Sequence, residues 1–488
     1  MITKKLPQTP CSSCKGRIKK EVSDMSREFL NTRNPVLPAA VHIADSEAHI
    51  MPDGRLYLYG SYDDREDKYC SQEYHVVSTP DMEHWTVHET ALHVRDIPWS
   101  GDPEIPRWPE VTQAQITPFI RRTYIKSMKK KLLQALSPSK KKQNTAAAEG
   151  AAEEPLLYAP DCIYQNGRYY LYFCMSDDSE GVAVSDRPEG PFSDPVLLPC
   201  SGIDPAIFVD DDGQSYYYWG QFNAHGVRLS EDMRSFDRAD IADKLVTEET
   251  HYFHEGSSVR KVGDTYYYIF ADMQRGRPTS LGYATGTSPL GPFTYRGIII
   301  DNAGCDPESW NNHGSIEQFH GQWYVFYHRS SRGGRLHRRL CVEPIKVAED
   351  GSIAEVPMTS QGAGEPFAPG EKIMGYQACE VKGKLFIGPD GPDAAECLQN
   401  ISHKDEAVFR YVRSQGPYSR AEVCAKGTGV IELLMDGRLV GSVSCTGSAG
   451  GRYQTVSAGL NCPPGLYTLT LRFKKPKDLR IWSVTLYD

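Results

Sequence analysis

From residue 42 the chain alternates between apolar and polar positions in short runs. HIADSEAHI leads into a turn at Asp53-Gly54, and the chain returns as LYLYGSYD. Alternation on both sides of a D-G pair predicts a β-hairpin. The unit recurs as YAPDCIYQNGRYYLYF from Tyr158, GIDPAIFVDDDGQSYYYWG from Gly202, HEGSSVRKVGDTYYYIFAD from His254 and NHGSIEQFHGQWYVFYHR from Asn312. Each copy opens near a polar residue (Asp45, Asp161, Asp204, Glu255, His313), turns at a glycine and returns along an aromatic-rich strand. Further β-like segments follow, among them HVVSTPDMEHW, VAVSDRPEGPF, VRLSEDMRSF and LGYATGTSPLGPF. Four short antiparallel strands per unit, repeated five times, predict an all-β, five-bladed β-propeller with one axial pocket. Equivalent positions of the innermost strands share one end of the axis, so the five polar residues are expected to converge there.

Two stretches break this rhythm. Between residues 107 and 155, Ile120, Tyr124, Met128, Leu132 and Leu136 stand at helical spacing among lysines and arginines, before an Ala/Glu-rich tail. That pattern predicts a basic surface helix on a flexible tether. Later, the Pro/Gly-rich QGAGEPFAPGEK gives way to alternating runs such as GVIELLMDGRLVGSVSC, GLYTLTLRF and LRIWSVTLYD. These predict a separate antiparallel β-sandwich, jelly-roll-like in character. The expected organisation is an N-terminal tail over 1–35, the propeller over 36–360, a linker over 361–374 and the sandwich over 375–488.

Composition narrows the function. A hydrophobic content of 40% with 24% charged residues describes a globular chain, and a net charge of −9 argues against a nucleic-acid partner. No apolar run approaches the roughly 20 residues that would span a bilayer. The N-terminus carries no apolar signal segment, so a cytoplasmic location is expected. Thirteen cysteines are an odd number, and Cys174 and Cys341 fall in apolar strand-like runs, which speaks against a disulfide framework. Cys11 and Cys14 form a lone CxxC, expected to be a reduced tail rather than a zinc site.

Carboxylates around an axial pocket, without a phosphate loop, an H-E-x-x-H motif or a Cys/His cluster, point to acid/base hydrolysis. Glycoside hydrolysis needs one carboxylic acid to protonate the leaving oxygen and one carboxylate to activate water or attack the sugar. A third carboxylate nearby raises the pKa of the acid by like-charge repulsion.

The motifs H-I-A-D at Asp45, Y-A-P-D at Asp161, G-I-D-P at Asp204, H-E-G at Glu255 and N-H-G-S at His313, in this order, resemble glycoside hydrolase family 43 over roughly residues 35 to 360. The resemblance implies a five-bladed propeller and hydrolysis with inversion at the anomeric carbon. It implies a general base at Asp45, a pKa-modulating aspartate at Asp204 and a general acid at Glu255. No cofactor is implied for the chemistry, while a structural calcium ion on the axis is allowed. The family usually has proline after its base aspartate; Ser46-Glu47 stands here instead, leaving Glu47 as an alternative base. Asp161 is expected to orient sugar hydroxyls or neighbouring side chains. His313 is expected to bind substrate, hold a water or cation on the axis, or satisfy core hydrogen bonds. Trp219 is read either as a sugar-stacking wall or as core. Within His337-Arg338-Arg339, Arg338 matches a substrate-contacting position of the family. The C-terminal part is similar to a family 6 carbohydrate-binding module.

The expected activity is release of terminal α-L-arabinofuranosyl units from plant-derived oligo- or polysaccharides, with β-D-xylosidase the nearest alternative. A non-catalytic sugar-binding propeller is the alternative of another class. Retaining fructan and sucrose hydrolases would show Arg before the middle Asp-Pro and Cys after the acid; Ile203 and Gly256 stand there instead.

Overall fold

In the propeller strands both faces are buried, because each blade packs against a neighbour on either side, and the tyrosine-rich runs supply both faces at once. Tyr217 faces the core shared with the preceding blade, while Tyr218 faces the core shared with the next. The computed structural model describes residues 26–106, 108, 154–305, 312–390, 396–447 and 451–488. Cys11, Cys14 and the helix expected from Ile120 to Leu136 lie outside the described residues.

Blade one comprises Ile43–Ile50, Leu56–Tyr62, Glu73–Thr79 and His84–His93, paired in that order. Blade two comprises Leu157–Gln165, Arg168–Met175, Ser179–Ser185 and Ser193–Ser201, and blade four Phe253–Val262, Thr265–Asp272, Ser280–Gly286 and Phe293–Asp301. Two blades depart from the expected four strands. Blade three has Ala206–Val209, Ser215–Trp219 and His225–Arg228, with its fourth place reduced to one bridge from Gly226 to Ala242. Blade five has Ser315–Phe319, Gln322–Ser330 and Arg338–Ile345. Its outer edge is covered by the segment before blade one, where Val36 N–H donates to the Leu340 carbonyl and Val342 N–H to Asn34 Oδ1. The expected N-terminal tail is therefore partly structural, and it also contributes Ser26–Leu30 as a fifth strand on blade one.

Five apolar clusters lie one at each blade junction. Leu58 and Ile43 meet Phe326 and Leu340 at the closing junction, between blades one and five. There Ser315 Oγ accepts from Ala48 N–H and donates to the Ser46 carbonyl. Through these contacts the first and last blades form a closed ring.

The C-terminal strands form one nine-stranded sheet folded on itself as a β-sandwich, spanned by the long strands Tyr418–Met435 and Gly465–Tyr487. Its core gathers Phe409, Ile431, Leu471 and Ile481. The expected linker is not a free tether. Lys372–Met374 already pairs with Gly465–Tyr487, Gly364 N–H donates to Thr32, and Gln361 N–H donates to Arg410. Cys379 and Val408 of the sandwich pack into the core between blades four and five. The described cysteines are free thiols.

Blade one carries a bulge. Its first two strands pair at Ala44↔Ser61 and resume at Glu47↔Tyr59, leaving Asp45 and Ser46 outside the ladder, with Asp45 at φ 54°. Such a bulge turns a side chain away from the sheet face it would otherwise occupy. Gly60, opposite, is required by close approach, since a Cβ there would lie 2.3 Å from the Ala44 carbonyl oxygen. Gly60→Ala is expected to cost roughly 1–3 kcal/mol or more in urea unfolding, the usual range for overpacking a filled site.

Candidate active site

The bulge delivers Asp45 to the mouth of the ring axis, and the other blades can be compared with it by register. In blade two pairing resumes at Asp161↔Tyr172, in blade three it starts at Ala206↔Tyr218, and in blade five at Ser315↔Phe326. Two residues earlier in each case stand Ala159, Asp204 and His313, the positional counterparts of Asp45. Blade four has pairing irregularities on both sides of Glu255, with Gly256 at φ 75°. A Cβ on Gly256 would press 2.8 Å from the His313 ring, so glycine here lets the blade-four strand lie on the axial imidazole.

Asp45, Ala159, Asp204, Glu255 and Arg338 line one cavity of about 360 Å³, with Tyr69, Tyr158 and Arg335 on its wall. That size and its convergent polar groups suit a small ligand. His313 is buried behind the carboxylates, its Nδ1 3.9 Å from Asp45 and 3.8 Å from Asp204. Burial pushes its imidazole pKa down, so it is neutral near pH 7.

Each carboxylate has a different environment. Burial would raise the pKa of Asp45, but the Arg338 guanidinium, 2.7 and 2.6 Å from its two oxygens, outweighs this and brings it to about 2. Arg338 is itself locked by Asp63, which accepts from its Nε at 2.9 Å and its Nη2 at 3.0 Å. Asp204 goes the other way: burial first, then the neighbouring charges of Glu255 and Asp45, push it well above the usual aspartate range. Glu255 Oε2 accepts from Gln221 Nε2 at 2.6 Å.

For Asp161 and Trp219 the structure decides against a substrate contact. Asp161 does not line the cavity. It is the register counterpart of Glu47, and its oxygens are taken by His49 Nε2 at 2.7 Å, Cys162 N–H at 2.6 Å and Ile207 N–H at 2.8 Å. Trp219 is fully buried among Tyr217, His225 and Phe236 between blades two and three, which removes it from any sugar-stacking role. Glu47, the alternative base, is bound by Arg260 Nη2 at 3.1 Å in a buried network with Asp161 and Glu317, and it does not line the cavity. Asp63, Gln221, Tyr69 and Cys70 were not anticipated. Apart from Asp63, which directly follows a returning strand, they lie in loops that carry no repeat register.

With this geometry in hand, likeness to known proteins is decisive at the family level. The family model described as glycosyl hydrolases family 43 matches residues 99–353, just over half the chain. The chain belongs to glycosyl hydrolases family 43. The match begins after blade one, so it contains Asp204, Glu255, His313 and Arg338 but not Asp45. A xylosidase/arabinosidase of Thermoclostridium stercorarium is 25% identical over 93% of this chain and 98% of its own. An arabinoxylan arabinofuranohydrolase of Bacillus subtilis is 24% identical over 87% of this chain and 85% of its own. A beta-xylosidase/alpha-arabinofuranosidase from a compost metagenome, solved with xylotriose in a calcium-free form, shares 27% identity and superposes with a TM-score of 0.50 over 68% of this chain and 99% of its own.

This glycoside hydrolase has two axial places to test for a calcium ion. Glu47, His49 and Asp161 bring ligand atoms within 4.8 Å of one another, but Arg260 already neutralises Glu47 and His49 is hydrogen-bonded to Asp161. That set does not fit a divalent cation, which prefers several oxygen ligands. His313 has both ring nitrogens buried without a hydrogen-bond partner, which fits a place for a bound water.

Removing the guanidinium tests the electrostatics. Arg338→Gln leaves Asp45 and Asp63 buried without their cation and is expected to cost roughly 3–5 kcal/mol in urea unfolding. In the wild type, Asp45 titrates below its ordinary 3.8, so its ionic stabilisation is complete above that value and is lost as pH falls through about 2. In Arg338→Gln the Asp45 pKa rises, so carboxyl-specific NMR titration should show it protonating at higher pH.

Proposed function

We propose that the cavity hydrolyses terminal α-L-arabinofuranosyl units from plant-derived oligo- or polysaccharides, with inversion at the anomeric carbon. The observation that carries this reading is the contrast within one cavity: Asp45 is held ionised by Arg338, while Asp204, beside Glu255, is pushed toward its protonated form. Opposed protonation states are what acid/base cleavage of an acetal requires.

In this reading Glu255, oriented by Gln221, gives its proton to the glycosidic oxygen as the C–O bond breaks. Asp45 takes a proton from the water that attacks the anomeric carbon from the opposite face. Two negative charges at Asp204 and Glu255 would repel each other in this buried place, so the pair shares a proton that serves the acid step. Arg338 keeps Asp45 ionised and, lining the cavity, is placed to donate to sugar hydroxyls. Cleavage of β-D-xylosides is the second reading, favoured by relatives whose names join the two activities. The sandwich, in this reading, adds carbohydrate binding.

Hydrolysis of a panel of nitrophenyl arabinofuranosides, xylosides and galactosides ranks the sugars, and fastest turnover on the arabinofuranoside is expected. Glu255→Ala is expected to lose about 10²–10⁴-fold in kcat/KM on natural glycosides, the usual contribution of general acid catalysis. Aryl glycosides with good leaving groups should lose far less, and equal losses on both would remove Glu255 from the acid role. Proton NMR of the first product should show the inverted anomer; retention would overturn the mechanism.

A further inference from the structure

Arg338 and Arg339 are neighbours on one strand, so their side chains leave it on opposite faces. Arg338 enters the cavity, while Arg339 leaves the propeller and is buried against the C-terminal sandwich. Its partner is Glu396, the first residue of the sandwich strand Glu396–Gln399, with Nη1 to Oε2 at 2.6 Å and essentially no exposure on either side. Glu396 also lies 3.4 Å from Arg332 Nε and 3.6 Å from His42 Nε2.

Arg332 is the second residue of the loop that runs from Ser331 to His337. The loop is closed by Ser331 N–H donating to the His337 carbonyl at 2.9 Å. It is fastened to the sandwich by Arg332 N–H donating to the Ile387 carbonyl at 2.5 Å, and Gly333 packs over the Phe386 ring. Arg332 Nη1 also reaches His337 Nε2 at 3.0 Å, tying the start of the loop to its end. At the tip, Arg335 is exposed and lines the outer wall of the cavity. The carboxylates occupy its buried interior. A guanidinium at the rim meets the part of a bound saccharide beyond the scissile bond, where its donors suit hydroxyl groups.

We propose that the C-terminal sandwich is part of the substrate site: Glu396 is a positioning residue that clamps the Arg332–His337 loop and thereby sets Arg335 against the leaving-group sugar. This rests on the hydrolase reading above. It differs from a tethered binding module, because the sandwich acts on the pocket wall through a buried charge.

The test uses the full chain with Glu396→Gln, which keeps shape but removes charge, and Arg332→Ala, which cuts the clamp from the loop side at a partly exposed residue. Hydrogen exchange of the amides from 331 to 337 should quicken at least ten-fold in both variants. KM for an arabino- or xylo-oligosaccharide should rise about ten-fold, and clearly more than KM for the nitrophenyl pentoside, which lacks the leaving-group sugar. Arg335→Ala should give the same selective rise, and adding Glu396→Gln to it should add little, since coupled residues are not additive. Unchanged exchange in an active enzyme overturns the clamp. Equal KM changes on both substrates, or full additivity, overturn the role of Arg335. A wild-type chain that cleaves neither glycoside removes the leaving-group role together with the hydrolase reading, and exchange then judges the clamp alone.

Discussion

One buried guanidinium holds the site together. Arg338 comes from blade five, yet both carboxylates it binds, Asp45 and Asp63, belong to blade one and the residue directly after its second strand. The same ion pairs therefore brace the closing junction of the ring and decide the charge of Asp45. Taking three charges out of water is costly and is compensated only when their geometry is good. Bidentate contact to Asp63 and paired contact to Asp45 supply that geometry. A closed ring is thus a condition for an ionised Asp45 at its mouth.

The charges along the axis are sorted into two layers. At the cavity, Arg338 serves Asp45 and Asp63; behind it, Arg260 serves Glu47 and Glu317, beside His49 and Asp161. The neutral ring of His313 lies behind the cavity carboxylates. The inner layer uses polar groups to satisfy one another and leaves the outer layer to face a ligand. Residues two apart on a strand share a face in a regular ladder, but the bulge after Ala44 separates Asp45 from Glu47 and sends them to different layers.

That bulge explains what could be read in the sequence and what could not. The repeats, the glycine turns and the doubly apolar second strands follow from period-two alternation, so the five blades and the sandwich were legible. Asp45, Asp204 and Glu255 were legible because each opens its repeat with an acid. Asp161 misled for the same reason. It also opens a repeat, but the register places Ala159 beside the cavity and Asp161 where Glu47 stands in blade one. The offset is two residues and changes the layer only because a bulge intervenes, and bulge positions are set by tertiary packing rather than by the local pattern. Trp219 stayed open in the sequence because an aromatic at the end of an apolar run reads alike as core or platform, and only its burial between two blades decides. Asp63 and Gln221 were hidden because they work through partners far away in the chain, Arg338 and Glu255.

The boundary between domains was the least legible feature, for a related reason. Pro/Gly-rich composition marks a change of texture at 361–374, but it does not say whether the chain there is loose. In the folded protein that stretch is hydrogen-bonded to both sides, and the sandwich places Glu396 against two arginines of the propeller. A flexible tether would let the sandwich move away, leaving Arg339 buried without an anion or exposing a junction core that includes Cys379 and Val408. Either change is costly, since an unpaired buried charge or lost apolar burial has no compensation in water. The two units therefore share a buried junction, and the composition of the intervening segment reflects its tight turns, at Gly362 and Gly370 with positive φ, rather than freedom.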